Sequence, residues 1–575
     1  MGSSFMVKAV ATKPLVIRIN LAFISFFLSA YLLLLLLHSP PPPSLREQRS
    51  NADEIIHCSL RNCLLKKGPG AEKERNAMER IPSFLKSLPA NTEVALVNIG
   101  VAEASNRGLL VGRRIPVTFE RVSSNLRWED LFPEWIDEDE ENEEPSCSEI
   151  PMPDFSSYGV VDLVAAKLPC EGIRRDVFRL QVHLVAAGMA ARRGRRDARG
   201  AVRLALLSAC RPMMELFRCD DVVAREGDWW VFEVEAWRLE QKVALPVGSC
   251  DLALPLRVKG SGRVFDISKL VGLPEVADRR EAYATVIHSS DQYVCGAIAL
   301  ARSIIRTGTA RDLVLLHDNS IPGEKLVALT AAGWQLREIE RIRNPRAQKG
   351  SYNEYNYSKL RLWQLTEYRK VVFVDADVLV LRNLDLLFRF PQVSAAGNDG
   401  VIFNSGVMVI EPSACTFAAL MAARADVVSY NGGDQGFLNE AFVWWHRLPR
   451  RVNFLKNIWS NTTAEARAKN RLMGAGAGGE LYAIHYLGIK PWLCHREYDC
   501  NWNVAERWAY ASDAAHATWW KLHDEMEVGL RAFCGLTGPR KEQLEKDRKQ
   551  AELMGFIDGH WRLNVSDHSV RLVEC

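Results

Sequence analysis

Two carboxylates, Asp375 and Asp377, follow directly on the apolar run Val371-Val372-Phe373-Val374, with only Ala376 between them. Clustered carboxylates at the end of a buried strand repel each other and are costly to desolvate unless a cation neutralises them. A divalent metal does so, and can bind diphosphate oxygens at the same time. A D-x-D triplet alone also occurs as a solvated turn; its position after four apolar residues is what points to chemistry. A second constellation follows in His485-Tyr486-Leu487-Gly488-Ile489-Lys490-Pro491-Trp492. A lone histidine is more often a hydrogen-bonded polar residue than a ligand. Here a lysine follows five positions later with a glycine between, which suits a third metal ligand and a cation for a phosphate. An imidazole beside two carboxylates suits manganese better than magnesium, which favours oxygen ligands alone.

The elements that must position these residues are legible from about Glu281 onward. Residues 284–287 and 313–316 are short apolar strands, 294–305 an amphipathic helix, and 324–332 a helix ended by Gly333. Residues 359–367 are expected to form a helix feeding the strand 371–374. Such alternation predicts an α/β fold, a mostly parallel sheet with helices on both faces, whose ligands sit beyond the carboxyl ends of the strands.

Six segments in order resemble glycosyltransferase family 8, the glycogenin-like group with a Rossmann-like GT-A fold, over about residues 281–535. They are the strand and loop from Ala284 through His288, Ser289, Asp291, Tyr293 and Gly296; Asn356-Tyr357-Ser358-Lys359 with Trp363; Asp375-Ala376-Asp377; Phe403-Asn404-Ser405-Gly406; Gly432-Gly433-Asp434-Gln435-Gly436; and the segment from His485 to Trp492. The resemblance implies that Ile287, Ser289 and Tyr293 line the uracil and ribose pocket. It implies that Lys359 and Lys490, with Gly488, hold the donor diphosphate, and that Asp375, Asp377 and His485 hold Mn2+, with Ala376 between the carboxylates. Asn404, Ser405, Asp434 and Gln435 would surround the transferred sugar. Lys359, Asp434 and Gln435 are the candidate catalytic residues, and Asp434 is the one carboxylate nominated as a nucleophile for a reaction that retains anomeric configuration. The chain departs from animal glycogenin at Asn431, where an acidic residue is the rule, and residues 442–460 contain no tyrosine to serve as a self-priming acceptor. The block from His288 to Ala299 and the long N-terminal extension resemble the plant glycogenin-like branch. That implies a Golgi enzyme taking UDP-glucuronate as donor and xylan as acceptor. The alternatives are a starch-priming glucosyltransferase and a non-catalytic scaffold of a polysaccharide complex. The basic loop carrying Arg341, Arg343, Arg346 and Lys349 is a candidate partner for a glucuronate carboxylate, with a solvated loop as the plainer reading.

Before the catalytic segment, residues 19–38 form an apolar stretch long enough to span a bilayer, preceded by Lys8, Lys13 and Arg18 and followed by the prolines 40–43. The expected order is a cytosolic tail (1–18), a signal-anchor helix (19–38), a stem (39–80), an additional mixed α/β region without a chemical motif (81–273), the catalytic domain (281–535) and a C-terminal tail (536–575). This order predicts a single-pass type II membrane protein with its body in the Golgi lumen, a cleaved signal peptide being the alternative reading of the apolar stretch. In the extra region, residues 94–99 and 229–237 are expected strands, and 177–191 fits either strand or helix. Sequons stand at Asn356, Asn461 and Asn564, Asn356 falling inside the candidate site. The 13 cysteines suggest some disulfides, with Cys58/Cys63 and Cys494/Cys500 the nearest in sequence. Net charge is +3 on 73 basic and 70 acidic residues, a balance that gives no reason to expect nucleic acid. Oligomeric state is not legible.

Overall fold

The computed structural model describes residues 82–106, 112–132, 148–170, 175–250, 253, 280–398, 401–457, 469, 471–473, 481–496, 500 and 512–555. The tail, anchor and stem (1–80), the sequons at Asn461 and Asn564, and Cys58 and Cys63 lie outside them. Among the described residues no helix is long and apolar enough to cross a membrane.

The N-terminal region builds its own sheet from β1 (Glu93–Val97), β2 (Arg113–Val117), β3 (Leu163–Lys167), β4 (Ala201–Leu207), β5 (Val222–Glu226) and β6 (Trp229–Glu235). The order is β2-β1-β3-β4-β6-β5, the first four parallel and β6 antiparallel to both neighbours. The segment that fitted strand or helix is the helix Val177–Arg193, with Asp176 capping its start through the amide of Arg179. Thirteen of its 17 residues are buried, so its apolar pattern runs all round and no 3.6-residue stripe shows in the sequence. The strand expected to reach Trp237 ends at Glu235, where the helix Ala236–Val243 begins.

The second sheet holds β7 (Glu281–Ile287), β8 (Asp312–His317), β9 (Gln335–Glu338), β10 (Lys370–Val374), β12 (Ser394–Gly397), β13 (Phe403–Ile410) and β14 (His446–Leu448). Its order is β14-β12-β13-β10-β7-β8-β9. The run β10-β7-β8-β9 is parallel, and β13 is antiparallel to β10 and β12. The helix Gly323–Ala332 does stop at Gly333, whose φ of 116° is left-handed. The α-helix expected over 359–367 is instead a run of tighter 3-10 turns over Asn356–Gln364. Tyr357, Leu360, Leu362 and Trp363 are all buried there, so packing on several sides decides the conformation rather than one amphipathic face. A small third sheet joins β11 (Val378–Val380), β15 (Phe454–Leu455) and β16 (Ala483–His485) in the order β11-β16-β15. In the stretch set apart as a tail, the helix Gly538–Met554 buries Leu544 and Ala551 against Cys494 and Cys500.

The two large sheets share one apolar core running from Val97 and Phe232 to Phe403 and Trp445. Polar contacts fix the joint: Glu215 accepts the amides of Val443 and Trp444 at 2.8 and 3.2 Å, and Lys370 donates to Gln241 at 3.0 Å. The Cys219–Cys415 disulfide crosses it. Cys170–Cys210, Cys295–Cys534 and Cys494–Cys500 also pair.

Candidate active site

The site lies where β10, β13 and the small sheet end together. Asp375 continues the β10–β13 ladder by one rung, its amide donating to the Gly406 carbonyl at 2.8 Å. Val378 pairs with His485 across β11 and β16, and the Tyr486 amide bonds the Asp377 carbonyl at 2.9 Å. That register brings together residues more than a hundred positions apart. One donor atom from each of Asp375, Asp377 and His485 lies within 4.8 Å of the others. His485 Nε2 is 3.4 Å from Asp377 Oδ1. Two carboxylates and an imidazole converging at this spacing fit a divalent cation.

Two lysines face these carboxylates. Gly488, at φ 71°, turns the chain so that Lys490 Nζ comes back to Asp377 Oδ2 at 2.5 Å and to the Tyr486 carbonyl at 2.6 Å. Lys359 Nζ lies 2.6 Å from Asp434 Oδ2 and 3.2 Å from Asp375 Oδ1, over the ring of Phe373. Burial works against the Lys359 ammonium, but Asp375 and Asp434 more than offset it and raise its pKa. Burial likewise opposes the Asp377 carboxylate, yet Lys490 and His485 hold its pKa far below the ordinary range. Asp375 moves the other way. Burial, helped by the negative charge of Asp377, pushes it up against the pull of Lys359. The two carboxylates are thus shifted in opposite directions by their surroundings.

The sugar-side residues converge from β13 and the helix Asp434–Ala441. Ser405 donates its amide to Gln435 Oε1 at 3.1 Å and its hydroxyl to Asp434 Oδ2 at 3.2 Å. Asn404 is buried and turned inward, its Oδ1 accepting the Gly406 amide at 2.8 Å. At the other end, Ile287 closes β7 in the core. Ser289, at φ 65°, gives its amide to the Asp318 carboxylate at 3.3 Å and accepts Arg341 at 3.3 Å. Tyr293 stands edge-on to Trp492 at 6.3 Å, with Lys490 Nζ 5.8 Å from its ring centre. Ala376 is buried, its carbonyl against Gly296. Lys359 thus links the metal-side carboxylate Asp375 to Asp434 on the sugar side, Lys490 links Asp377 to the ring of Tyr293, and Ile287 and Asn404 are buried behind them.

The basic loop does not act as a cluster. Arg343 pairs with Glu354 and Arg346 donates to the Ala425 carbonyl, leaving Arg341, paired with Asp318, as the member beside Ser289. The motifs did not single out four residues that the structure adds. Asp318 directly follows β8, a strand-end position that could have marked it. Asn453 contacts His485 at 3.0 Å and carries no sequence signal. Tyr352 and Tyr430 are exposed beside the site, Tyr430 bonding Gln435.

The family model described as Glycosyl transferase family 8 matches residues 284–495, and one described as GUX1-5 N-terminal domain matches residues 70–250. The chain is 51% identical, over 98% of its length and 98% of the relative's, to an Arabidopsis thaliana protein named UDP-glucuronate:xylan alpha-glucuronosyltransferase 2. It is 48% identical, over 79% of its length and 67% of the relative's, to UDP-glucuronate:xylan alpha-glucuronosyltransferase 1 of the same plant. To Homo sapiens glycogenin-1 it is 30% identical over 44% of its length and 75% of that protein's.

Proposed function

We propose that this chain, which belongs to glycosyltransferase family 8, transfers glucuronic acid from UDP-glucuronate to xylan with retention of anomeric configuration and with Mn2+ as its metal. The observation that carries this reading is the near-full-length similarity to the xylan glucuronosyltransferase, with the convergence of Asp375, Asp377 and His485 in support. The proposed setting is the Golgi lumen, with residues 19–38 as a single type II anchor; the apolar stretch and its basic flank support it.

Asp375, Asp377 and His485 would hold the cation, which when bound would supply Lewis-acid charge for the diphosphate leaving group. Lys490, beside Asp377, and Lys359, beside Asp375, would offer charge-assisted hydrogen bonds to the donor diphosphate. Lys359 also contacts Asp434, so one ammonium links the diphosphate end of the site to its sugar end. Asp434 offers its carboxylate to positive charge developing at the anomeric carbon. Gln435, tied to the Ser405 amide and the Tyr430 hydroxyl, orients the sugar. Ser289, Tyr293 and Asp318 would take the nucleoside, a reading supported by the Ser289–Asp318 hydrogen bond and the Tyr293–Trp492 ring contact.

A donor panel tests the reading. With Mn2+ and a xylo-oligosaccharide, UDP-glucuronate should add one glucuronosyl unit, read by product mass, and UDP-glucose and UDP-xylose should not. Transfer from UDP-glucose alone would establish the priming-enzyme alternative. Hydrolysis and transfer both absent from a protein that binds UDP would establish the scaffold.

A further inference from the structure

The hydrogen bonds behind His485 fix which of its nitrogens faces the carboxylates, and they run through residues outside the candidate metal triad. The chain of inference starts at a backbone amide, which can only donate. Gly406 N–H donates to Asn404 Oδ1 at 2.8 Å, so that side-chain atom is the oxygen. The same Oδ1 lies 2.8 Å from Asn453 Nδ2, which must then be the NH2 group, and the other end of the Asn453 amide is oxygen. That oxygen lies 3.0 Å from His485 Nδ1. An amide oxygen only accepts, so Nδ1 carries a proton, and in the neutral ring the lone pair is the one on Nε2, 3.4 Å from Asp377 Oδ1. That lone pair and the carboxylate oxygen repel each other until a proton or a metal ion stands between them, and with Nδ1 already protonated a metal can take the place of the Nε2 proton.

Asn404, Asn453 and His485 are exposed by 5%, 2% and 4%, so bulk water does not replace any link. Steric fit fixes the ring as well. A Cβ on Gly406 would lie 2.4 Å from His485 Cε1 and 2.6 Å from Nδ1, so the imidazole rests on bare β13 backbone. We propose that Asn453 is a positioning residue which, held by Asn404 and the Gly406 amide, keeps the proton on His485 Nδ1 and so presents Nε2 as a ready metal ligand. Free histidine favours the opposite tautomer, so this preorganisation is a property of the protein. The proposal rests on the Asp375-Asp377-His485 metal-site reading, and the experiment separates the two.

The test uses the full-length chain in detergent, labelled with 15N-histidine and free of metal, with the His485 signals assigned from their loss in His485→Gln. The expected spectrum has Nδ1 protonated in the wild type, with a shift of the proton towards Nε2 in Asn453→Ala. Direct Mn2+ titration, with free metal read by electron paramagnetic resonance and no substrate present, should show about 10–100-fold weaker binding in Asn453→Ala. Asn453→Asp, which keeps an acceptor for Nδ1–H but sets a second acceptor against Asn404 Oδ1, should keep the proton on Nδ1. A wild-type His485 protonated on Nε2 alone overturns the proposal, and so does an Asn453→Ala protein unchanged in both readouts. Should Asn453→Ala fail to fold, the wild-type tautomer and the Nδ1 proton in Asn453→Asp still decide. Loss of Mn2+ binding in Asp375→Ala without any effect in Asn453→Ala refutes the relay alone. Undiminished binding in Asp375→Ala refutes the site reading and the relay with it.

Discussion

Gly296→Ala is a single-methyl change whose consequence can be worked out from contacts. Gly296 lies in the first turn of the helix Val294–Arg306 and faces the peptide between the two site carboxylates. A Cβ there would stand 2.3 Å from the Ala376 carbonyl oxygen and 2.4 Å from Trp492 Cη2, where tight but tolerable contact needs 3.0–3.4 Å. Something must therefore move by about 1 Å. The helix start has little room to retreat, because Cys295 is bonded to Cys534. Trp492 is packed against Trp519 at 5.6 Å and hydrogen-bonded to the Gln292 carbonyl at 2.8 Å. The Asp375-Ala376-Asp377 peptide is left to shift. Overpacking of this kind costs about 1–3 kcal/mol of stability, and a displacement of about 1 Å at a catalytic group costs about 100-fold in turnover. The assay is glucuronosyl transfer to a xylo-oligosaccharide at saturating Mn2+, beside a direct Mn2+ titration, with Gly323→Ala as control. Gly323 opens a helix into empty space, and its variant should keep full activity. A Gly296→Ala enzyme with near wild-type turnover and metal affinity would refute the reasoning, since it would mean that the helix or Trp492 yields instead.

Lys490→Met removes the ammonium 2.5 Å from Asp377; losing a hydrogen bond to a charged group costs about 1.5–3 kcal/mol. UDP affinity at saturating Mn2+, measured by calorimetry, should fall about 10- to 150-fold, and an unchanged affinity would remove Lys490 from the diphosphate site. Burial pushes the Lys370 ammonium down to about 8, so the folded state loses this proton near pH 8 while the unfolded lysine keeps it to about 10.5. The unfolded state then binds more protons across that window, and stability should rise with pH there. Relative to Lys370→Met, the wild type should gain about 2–3 kcal/mol of urea-unfolding free energy between pH 8 and 10, and parallel pH profiles would contradict this. Replacing both Cys219 and Cys415 by Ser opens the cross-link between the two sheets, whose ends are 196 residues apart. It should lower stability by about 2–4 kcal/mol, read by thermal unfolding; no change would mean that the shared core alone holds the joint.

What the sequence revealed follows from where the information sits. Asp375 and Asp377 announce themselves because a fully buried strand must be apolar, so a carboxylate pair at its end stands out. Lys490 is legible because Gly488 and Pro491 punctuate its turn. Asn453 is not: it comes from a buried turn 32 positions before His485, and its meaning depends on a register between β15 and β16 that no local pattern encodes. The tight 3-10 geometry around Lys359 is hidden for a related reason, because contacts made on several sides outweigh helix propensity. Arg343 and Arg346 looked like a cluster because sequence proximity hides their separate partners, Glu354 and the Ala425 carbonyl. The mixed α/β character of the N-terminal region was legible in its strands, whereas its fusion to the catalytic sheet was not. That joint depends on pairings such as Glu215 with the Val443 amide, 228 residues apart.

The most direct test of the account is an anomalous-scattering map from crystals of the protein grown with Mn2+ and UDP. The account predicts one manganese peak bounded by Asp375, Asp377 and His485 Nε2, with Lys359 and Lys490 contacting the diphosphate beside it. UDP bound in the cleft with no manganese at those three residues, or manganese bound elsewhere, would contradict it.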